Sequence, residues 1–306
     1  MVNRNNPYFR QVALIIDLLP LIGEETCFAL KGGTAINLFV RDLPRLSVDI
    51  DLTYLQREPR NDALANIGAA LESIAARVEA IMPGVIVTRL ADKQGNLLKL
   101  QFERLGVRVI AEVSPVLRGT VLEPVMMDVS QKVESELAYT RMRLLDPREL
   151  FVGKLCAALD RQHPRDLFDI KALLEDEGID AGLMDIFVVY LVSGNRPIAE
   201  MLAPNLVPLE DTYVNHFAGM TLNPVTLQEL EETRVTMIHL VHEQLTEEHK
   251  RFLLGLKQGD PDWGLLPFEN IYDLPAVKWK LRNLAAMNPR KREESIKRLA
   301  KVLETL

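Results

Sequence analysis

Asp49-Ile50-Asp51 is where residue type and spacing carry the most chemistry. In the strictly alternating run Ser47–Tyr54, residues two apart share one side of an extended strand. Both carboxylates therefore project together while Ile50 and Leu52 pack behind. Two like charges held that close repel, and burial would raise one pKa steeply. A divalent cation removes the conflict. Oxygen-only ligands suit Mg²⁺, or Mn²⁺ in its place, which keeps waters and takes substrate phosphates at its remaining positions. Upstream, Gly32-Gly33-Thr34 lies between an apolar strand, Cys27–Leu30, and a helical run, Ala35–Val40. Glycines there let backbone N–H groups approach an anion, and a helix N-terminus adds positive potential. Ser47, two residues before the first Asp, is a further candidate phosphate contact. A phosphate-contacting turn followed by a D-x-D strand is the layout of metal-dependent nucleotidyl transfer, where metals activate a hydroxyl and stabilise departing pyrophosphate.

That chemistry usually wants a third carboxylate on a neighbouring strand. In Val107–Val113, Arg108, Ile110 and Glu112 share one face, and Glu112 is an acid in an otherwise apolar strand. It is the expected third metal ligand, ahead of Glu103, whose strand alternates with Lys99 and Gln101. Lys154 lies in the apolar run Leu150–Leu159, and a triphosphate is its natural counter-charge; the alternative is a lysine snorkelling to water. Asp166 and Asp169 follow at i, i+3 near Arg161 and Arg165. Asp169 reads as part of a structural ion-pair cluster, whereas Asp166 either orients Lys154 or touches substrate.

The elements that must hold these residues follow from periodicity. Phe9, Val12, Ile16 and Leu19 mark a first helix. Leu64, Ile67, Leu71, Ile74, Val78 and Ile81 form the seam of a helix packed on a sheet. Strands are expected over Val85–Leu90, Leu98–Phe102, Val107–Val113 and Thr120–Val129. At Asp146-Pro147-Arg148-Glu149 a helix starts, with Asp at the N-cap and Glu three residues later. Helical seams then run through Met184–Val192, Leu227–Leu245, Phe252–Leu256, Val277–Leu284 and Ile296–Leu303. The fold class is α+β: a core over 1–130, then a helical part over 131–306 that completes the site through Lys154 and Asp166 and binds the acceptor.

Composition narrows the classes. The 306 residues are 48% hydrophobic and 26% charged, a globular balance that excludes disordered and fibrous classes. The apolar stretches around Val12–Ile22 and Ile186–Val192 are too short or interrupted to cross a bilayer. Met-Val-Asn-Arg-Asn-Asn-Pro lacks the apolar core of a signal peptide. Cys27 and Cys156 cannot build a disulfide framework. A soluble, cytoplasmic protein without a membrane partner is expected. A net charge of −7 excludes a generic polyanion binder, so RNA must meet a local patch. Arg290, Lys291, Arg292, Lys297, Arg298 and Lys301 form the best one, the other reading of that cluster being a solvated helix face. Val152-Gly153-Lys154-Leu155 is no P-loop, and His239, His242 and His249, without a zinc motif, read as helix surface.

Lys31-Gly32-Gly33-Thr34-Ala35 followed by Arg45-x-Ser47-x-Asp49-Ile50-Asp51 resembles the AbiEii/AbiGii-type nucleotidyltransferase toxins of type IV toxin–antitoxin systems, MenT-like proteins among them. Glu149-x4-Lys154-x2-Ala157-x3-Arg161-x3-Arg165-Asp166-x2-Asp169 fits the same family, as does Leu274-Pro275-Ala276-x-Lys278-Trp279-Lys280. The resemblance implies a polymerase-β-like nucleotidyltransferase fold, a mixed sheet with flanking helices plus a helical C-terminal domain. It also implies NTP as substrate, Mg²⁺ as cofactor, a cognate antitoxin and a role in abortive infection. Some relatives add nucleotides to tRNA 3′ ends. By that resemblance Asp49 and Asp51 bind metal, Lys154 grips the triphosphate, Asp166 completes the site, and Glu112 sits on the third-carboxylate strand. The expected activity is transfer of NMP from NTP to an RNA, foremost a tRNA 3′ end. The alternatives are nucleotidylylation of a protein or small molecule, or a nucleotide-binding module without turnover.

Overall fold

The computed structural model describes residues 7–306; Met1–Asn6, from the stretch read above against a signal peptide, lie outside the described residues. The chain forms two compact units. Among the described residues, one comprises 7–150 with 219–224, the other 151–218 with 225–306.

Among the described residues, the first unit is built on seven strands: β1 (Phe28–Lys31), β2 (Asp49–Tyr54), β3 (Ile86–Ala91), β4 (Leu97–Arg104), β5 (Val107–Val113), β6 (Val125–Asp128) and β7 (Arg141–Leu144). They form one mixed sheet in the order β3-β4-β5-β2-β1-β7-β6. With β2 central, its apolar side is sealed: Ile50 and Leu52 are fully buried while Asp49 on the other side is exposed. Helices α1 (Pro7–Gly23), α2 (Gly32–Ala35), α3 (Arg60–Ile81) and α4 (Gln131–Glu136) flank it, and α5 (Pro147–Arg161) begins here. The seams expected for α1 and α3 are the buried ones, with Val12, Leu19, Ile67, Leu71 and Val78 all without exposure. Each such burial stabilises by about 1.5–3 kcal/mol. After α2 the helix widens into a π-turn, Ile36–Val40.

This unit runs on to Leu150, past the residue-130 boundary read from the sequence, because β7 belongs to the sheet. It pairs parallel with β1 through Leu30↔Leu144 and antiparallel with β6. Residues 219–224 return to clamp the loop before β2. Leu46 N–H donates to Met220 (2.8 Å) and Leu222 N–H to Pro44 (3.0 Å).

The second unit is helical. After α5 come α6 (Pro164–Asp176), α7 (Ala181–Ser193), α8 (Ile198–Leu202), α9 (Glu210–His216), α10 (Leu227–Gln244), α11 (Glu247–Gln258), α12 (Pro275–Ala285) and α13 (Pro289–Thr305). Apolar nearly all round, α7 is the unit's central helix. His163 caps α6, Asp180 caps α7, and Thr226 and Thr246 close capping boxes on α10 and α11. Among the described residues no helix is long and apolar enough to cross a membrane.

Candidate active site

Where β1 ends, Gly32 turns the chain with φ +74°. A methyl group on it would stand 2.5 Å from Oδ2 of Asp51. One on Gly33 would stand 2.6 Å from Nη2 of Arg45 and 2.7 Å from Oγ of Ser47. Both glycines are thus required by the protein's own side chains, whatever room they also give an anion. Arg45 is only 2% exposed, and its Nη1 donates to the Leu46 carbonyl at 3.0 Å. Thr34 Oγ1 lies 2.5 Å from the Asp49 carbonyl oxygen and 3.1 Å from Ser47 Oγ. A carbonyl can only accept, so the single Thr34 proton goes to Asp49 and its lone pair faces the Ser47 hydroxyl. In this structure Thr34 and Ser47, both buried, fasten the start of β2.

Register sets the next layer. Lys31 pairs with Asp51, Asp51 with Glu112, and Glu112 with Lys99. Cross-strand partners share a face, so one row across four strands reads plus, minus, minus, plus. Burial lowers the pKa of the Lys31 ammonium, while Asp51 and Glu112 pull it upward. The Glu112 carboxylate lies 2.9 Å from Lys99 Nζ, both half-exposed. Glu103, the second choice on β4, pairs with Arg108 at 2.7 Å.

The three-carboxylate metal set expected from the sequence is not assembled. Asp49 and Asp51 share a face, and Asp51 neighbours Glu112, but Glu112 turns to Lys99. Among the described residues no group of three or more His, Cys, Asp or Glu is placed to hold a metal ion. Alternation showed which residues of β5 share a face without showing that the Glu112 face is solvated, with Ile110 at 36% exposure. Asp49 and Asp51 remain a two-carboxylate oxygen set. That fits a hard cation whose other positions go to water and substrate phosphates.

The second unit holds a separate cluster. Lys154, on α5 and 7% exposed, does not snorkel. Its ammonium lies 2.9 Å from Asp166 Oδ1 and 3.1 Å from Asp169 Oδ2. Arg161 grips Asp166 with two nitrogens, at 2.6 and 2.9 Å. Burial alone would raise the Asp166 pKa, but Lys154 and Arg161 together hold it well below the usual carboxylate range. Asp166 therefore orients Lys154, and Asp169 shares the same ion-pair cluster. The three histidines take separate partners: His239 Glu243, His242 the Leu202 carbonyl, and His249 Asp185. His249 is buried, not surface as the sequence suggested, because its Nε2 reaches an acid on α7.

Lys31 and Arg45 are the residues that sequence reasoning passed over. Both stand in the motifs quoted above, and each role depends on a partner distant in sequence. For Arg45 a signal existed: an arginine between Pro44 and Leu46, just before a strand, has to be buried or paired.

MenT4, a nucleotidyltransferase toxin from Mycobacterium tuberculosis H37Rv, superposes with a TM-score of 0.56 at 15% identity, over 97% of this chain and 93% of its own. The likeness is one of fold, and it agrees with the mixed sheet, flanking helices and helical part found here. Terminal uridylyl transferase 4 from Trypanosoma brucei with bound dUTP aligns over 97% of this chain and 93% of its own at 12% identity. Its TM-score of 0.31 is too low to support an argument. None of the curated proteins matches the sequence. The family described as nucleotidyl transferase AbiEii toxin, type IV TA system, matches residues 14–283, a span that includes Gly32, Asp49, Asp51, Glu112, Lys154 and Asp166. The chain belongs to the AbiEii nucleotidyltransferase toxins of type IV toxin–antitoxin systems.

Proposed function

We propose that this toxin transfers NMP from an NTP to a hydroxyl of an RNA acceptor, foremost a tRNA 3′ end, with Asp49 and Asp51 holding Mg²⁺. The carrying observation is the β2 carboxylate pair, fixed by a glycine turn that admits Asp51 and a threonine that ties down Asp49. A cation held there would supply positive charge to the triphosphate and acidity to the attacking hydroxyl. The acceptor oxygen bonds to the α-phosphorus, the bond to the bridging oxygen breaks to release pyrophosphate, and the hydroxyl proton is lost to water. Lys154 is the proposed charge-assisted donor to the triphosphate. When it turns to substrate, the two-nitrogen grip of Arg161 keeps Asp166 ionised and paired. Type IV membership implies a cognate antitoxin, and growth arrest in its absence is expected to depend on transfer.

The test is incubation with each α-labelled NTP separately, in the presence of total RNA, protein or small-molecule acceptors, using wild type and Asp51→Asn. Label in RNA that needs Asp51 supports the proposal. Label in protein or a small molecule moves the acceptor class. Bound NTP with no labelled product in any mixture leaves a nucleotide-binding module.

A further inference from the structure

Leu274-Pro275-Ala276-x-Lys278-Trp279-Lys280 takes no part in the chemistry above. In the structure it opens α12, with Pro275 at the first position. Ala276, Val277 and Leu284 are buried, and Lys280 lies on that inward stripe, so its stem is covered. Its ammonium donates to the carbonyls of Gly194 and Arg196, which uses two of three N–H groups. Lys257, near the end of α11, and Arg292, in the first turn of α13, meet the same junction. Arg292 donates to the Gln258 carbonyl. Burial, then the Arg292 charge, lowers Lys257; burial, then the Lys257 charge, lowers Lys280 to about 8. Arg292 thus sits against the end of α11 beside Lys257, and Lys280 is close enough to Lys257 for the two charges to act on each other.

The outward stripe of α12 adjoins them. Trp279 is 50% exposed, with exposed Arg282 and Asn283 three and four residues on. On α13, Arg298 pairs with Glu200 and Lys297 with Glu293, whereas Arg290, Lys291 and Lys301 face solvent. Half-buried cations drawn together suit a phosphate, and an open indole beside a guanidinium suits a base. An acidic protein segment would use the cations but not the ring face.

We propose that the junction of α11, α12 and α13 binds a single-stranded stretch of acceptor RNA, one phosphate at Lys257, Lys280 and Arg292 and one base stacked on Trp279. This rests on the RNA-acceptor reading above and gives it a location. The experiment is fluorescence anisotropy of a short labelled single-stranded RNA, titrated with the full chain at several salt concentrations. The proteins are wild type, Trp279→Ala, Lys257→Gln and Asp51→Asn, each with its melting temperature. Trp279→Ala should weaken binding roughly five- to hundredfold, and Lys257→Gln should lower the salt slope by about one, both melting near wild type. Asp51→Asn should bind RNA normally. Unchanged affinity and slope in both junction variants overturns the proposal. So does inorganic phosphate or ATP whose binding alone, and not that of RNA, is lost in Lys257→Gln, which would make this a small-anion site. RNA binding that depends on Trp279, with no NTP ever labelling RNA, would keep the surface and sink the acceptor reading.

Discussion

Lys154→Met separates a lysine that neutralises buried acids from one that contributes only its stem. Methionine keeps most of the stem's volume, so little packing changes. What is lost is an ammonium 2.9 Å from Asp166 and 3.1 Å from Asp169, in a cluster where both carboxylates are at most 2% exposed. Removing one partner of a buried pair costs about 3–5 kcal/mol. Because Arg161 still grips Asp166 through two nitrogens, the lower end applies, about 3 kcal/mol. At roughly 2–4 °C per kcal/mol for a unit of this size, the melting temperature should fall by about 6–12 °C.

Asp169→Asn gives the control. Alone it removes a carboxylate that Lys154 needs; in the Lys154→Met background it removes one that has lost a cation. The second change should therefore be milder in the double variant, with a coupling of about 1–2 kcal/mol in a denaturation cycle. Calorimetry on the four proteins reads both quantities, and labelling with α-labelled NTP reads activity alongside. Lys154→Met melting within about 2 °C of wild type, with additive single changes, would refute the buried-cluster reasoning. Normal turnover in the same variant would remove Lys154 from the triphosphate.

Gly32→Ala should abolish transfer, since its methyl would stand 2.5 Å from Asp51 Oδ2 at a φ of +74°; full turnover would show that Asp51 moves aside freely. Asp51→Asn should lose labelling and growth arrest while staying folded by circular dichroism, and persistent arrest would break the link to transfer. Lys31→Met takes positive charge from beside Asp51, so Mn²⁺ binding followed by electron paramagnetic resonance should tighten; unchanged binding would place Lys31 outside the site. Burial, then the Arg165 charge, lowers His163 from 6.5 to about 4, and its Nδ1 caps α6 through Arg165 N–H. The unfolded imidazole then binds a proton the folded one refuses, so stability should fall as pH drops from 6.5 towards about 4. His163→Asn, which keeps a capping acceptor, should flatten that slope.

Side-chain pattern carried far where its period was long. The α3 seam and the alternation of β2 were legible because each buries one face over several repeats. With only four residues and two arginines, β7 gave no such signal; its place comes from pairing with β1. Asp146 does cap α5, at 2.9 Å from Arg148 N–H, but the Glu149 oxygens accept from Val121 and Leu122 N–H, at 3.0 Å each. A capping-box spelling can thus mark a carboxylate that pins a loop. Lys154 was legible as an odd cation in an apolar run. The choice between snorkelling and pairing was not, because the geometry of α6 decides it.

The row Lys31, Asp51, Glu112 and Lys99 shows why the third carboxylate was the hardest inference. A D-x-D strand concentrates negative charge, and a neighbouring acid in register adds to it. That repulsion has to be met within the sheet. Lys31 and Lys99 meet it from the two flanking strands, one partly buried and one near solvent. The pairs differ in how readily they open. Lys99–Glu112 is half-exposed, so little net free energy holds it. Lys31 is buried, which disfavours its ammonium, while Asp51 and Glu112 favour it. Glu112 can leave Lys99 at low cost, whereas Asp51, against Gly32 and across from Lys31, is fixed in direction. The same row balances the charge of Asp51 and leaves the Glu112 side chain paired with Lys99.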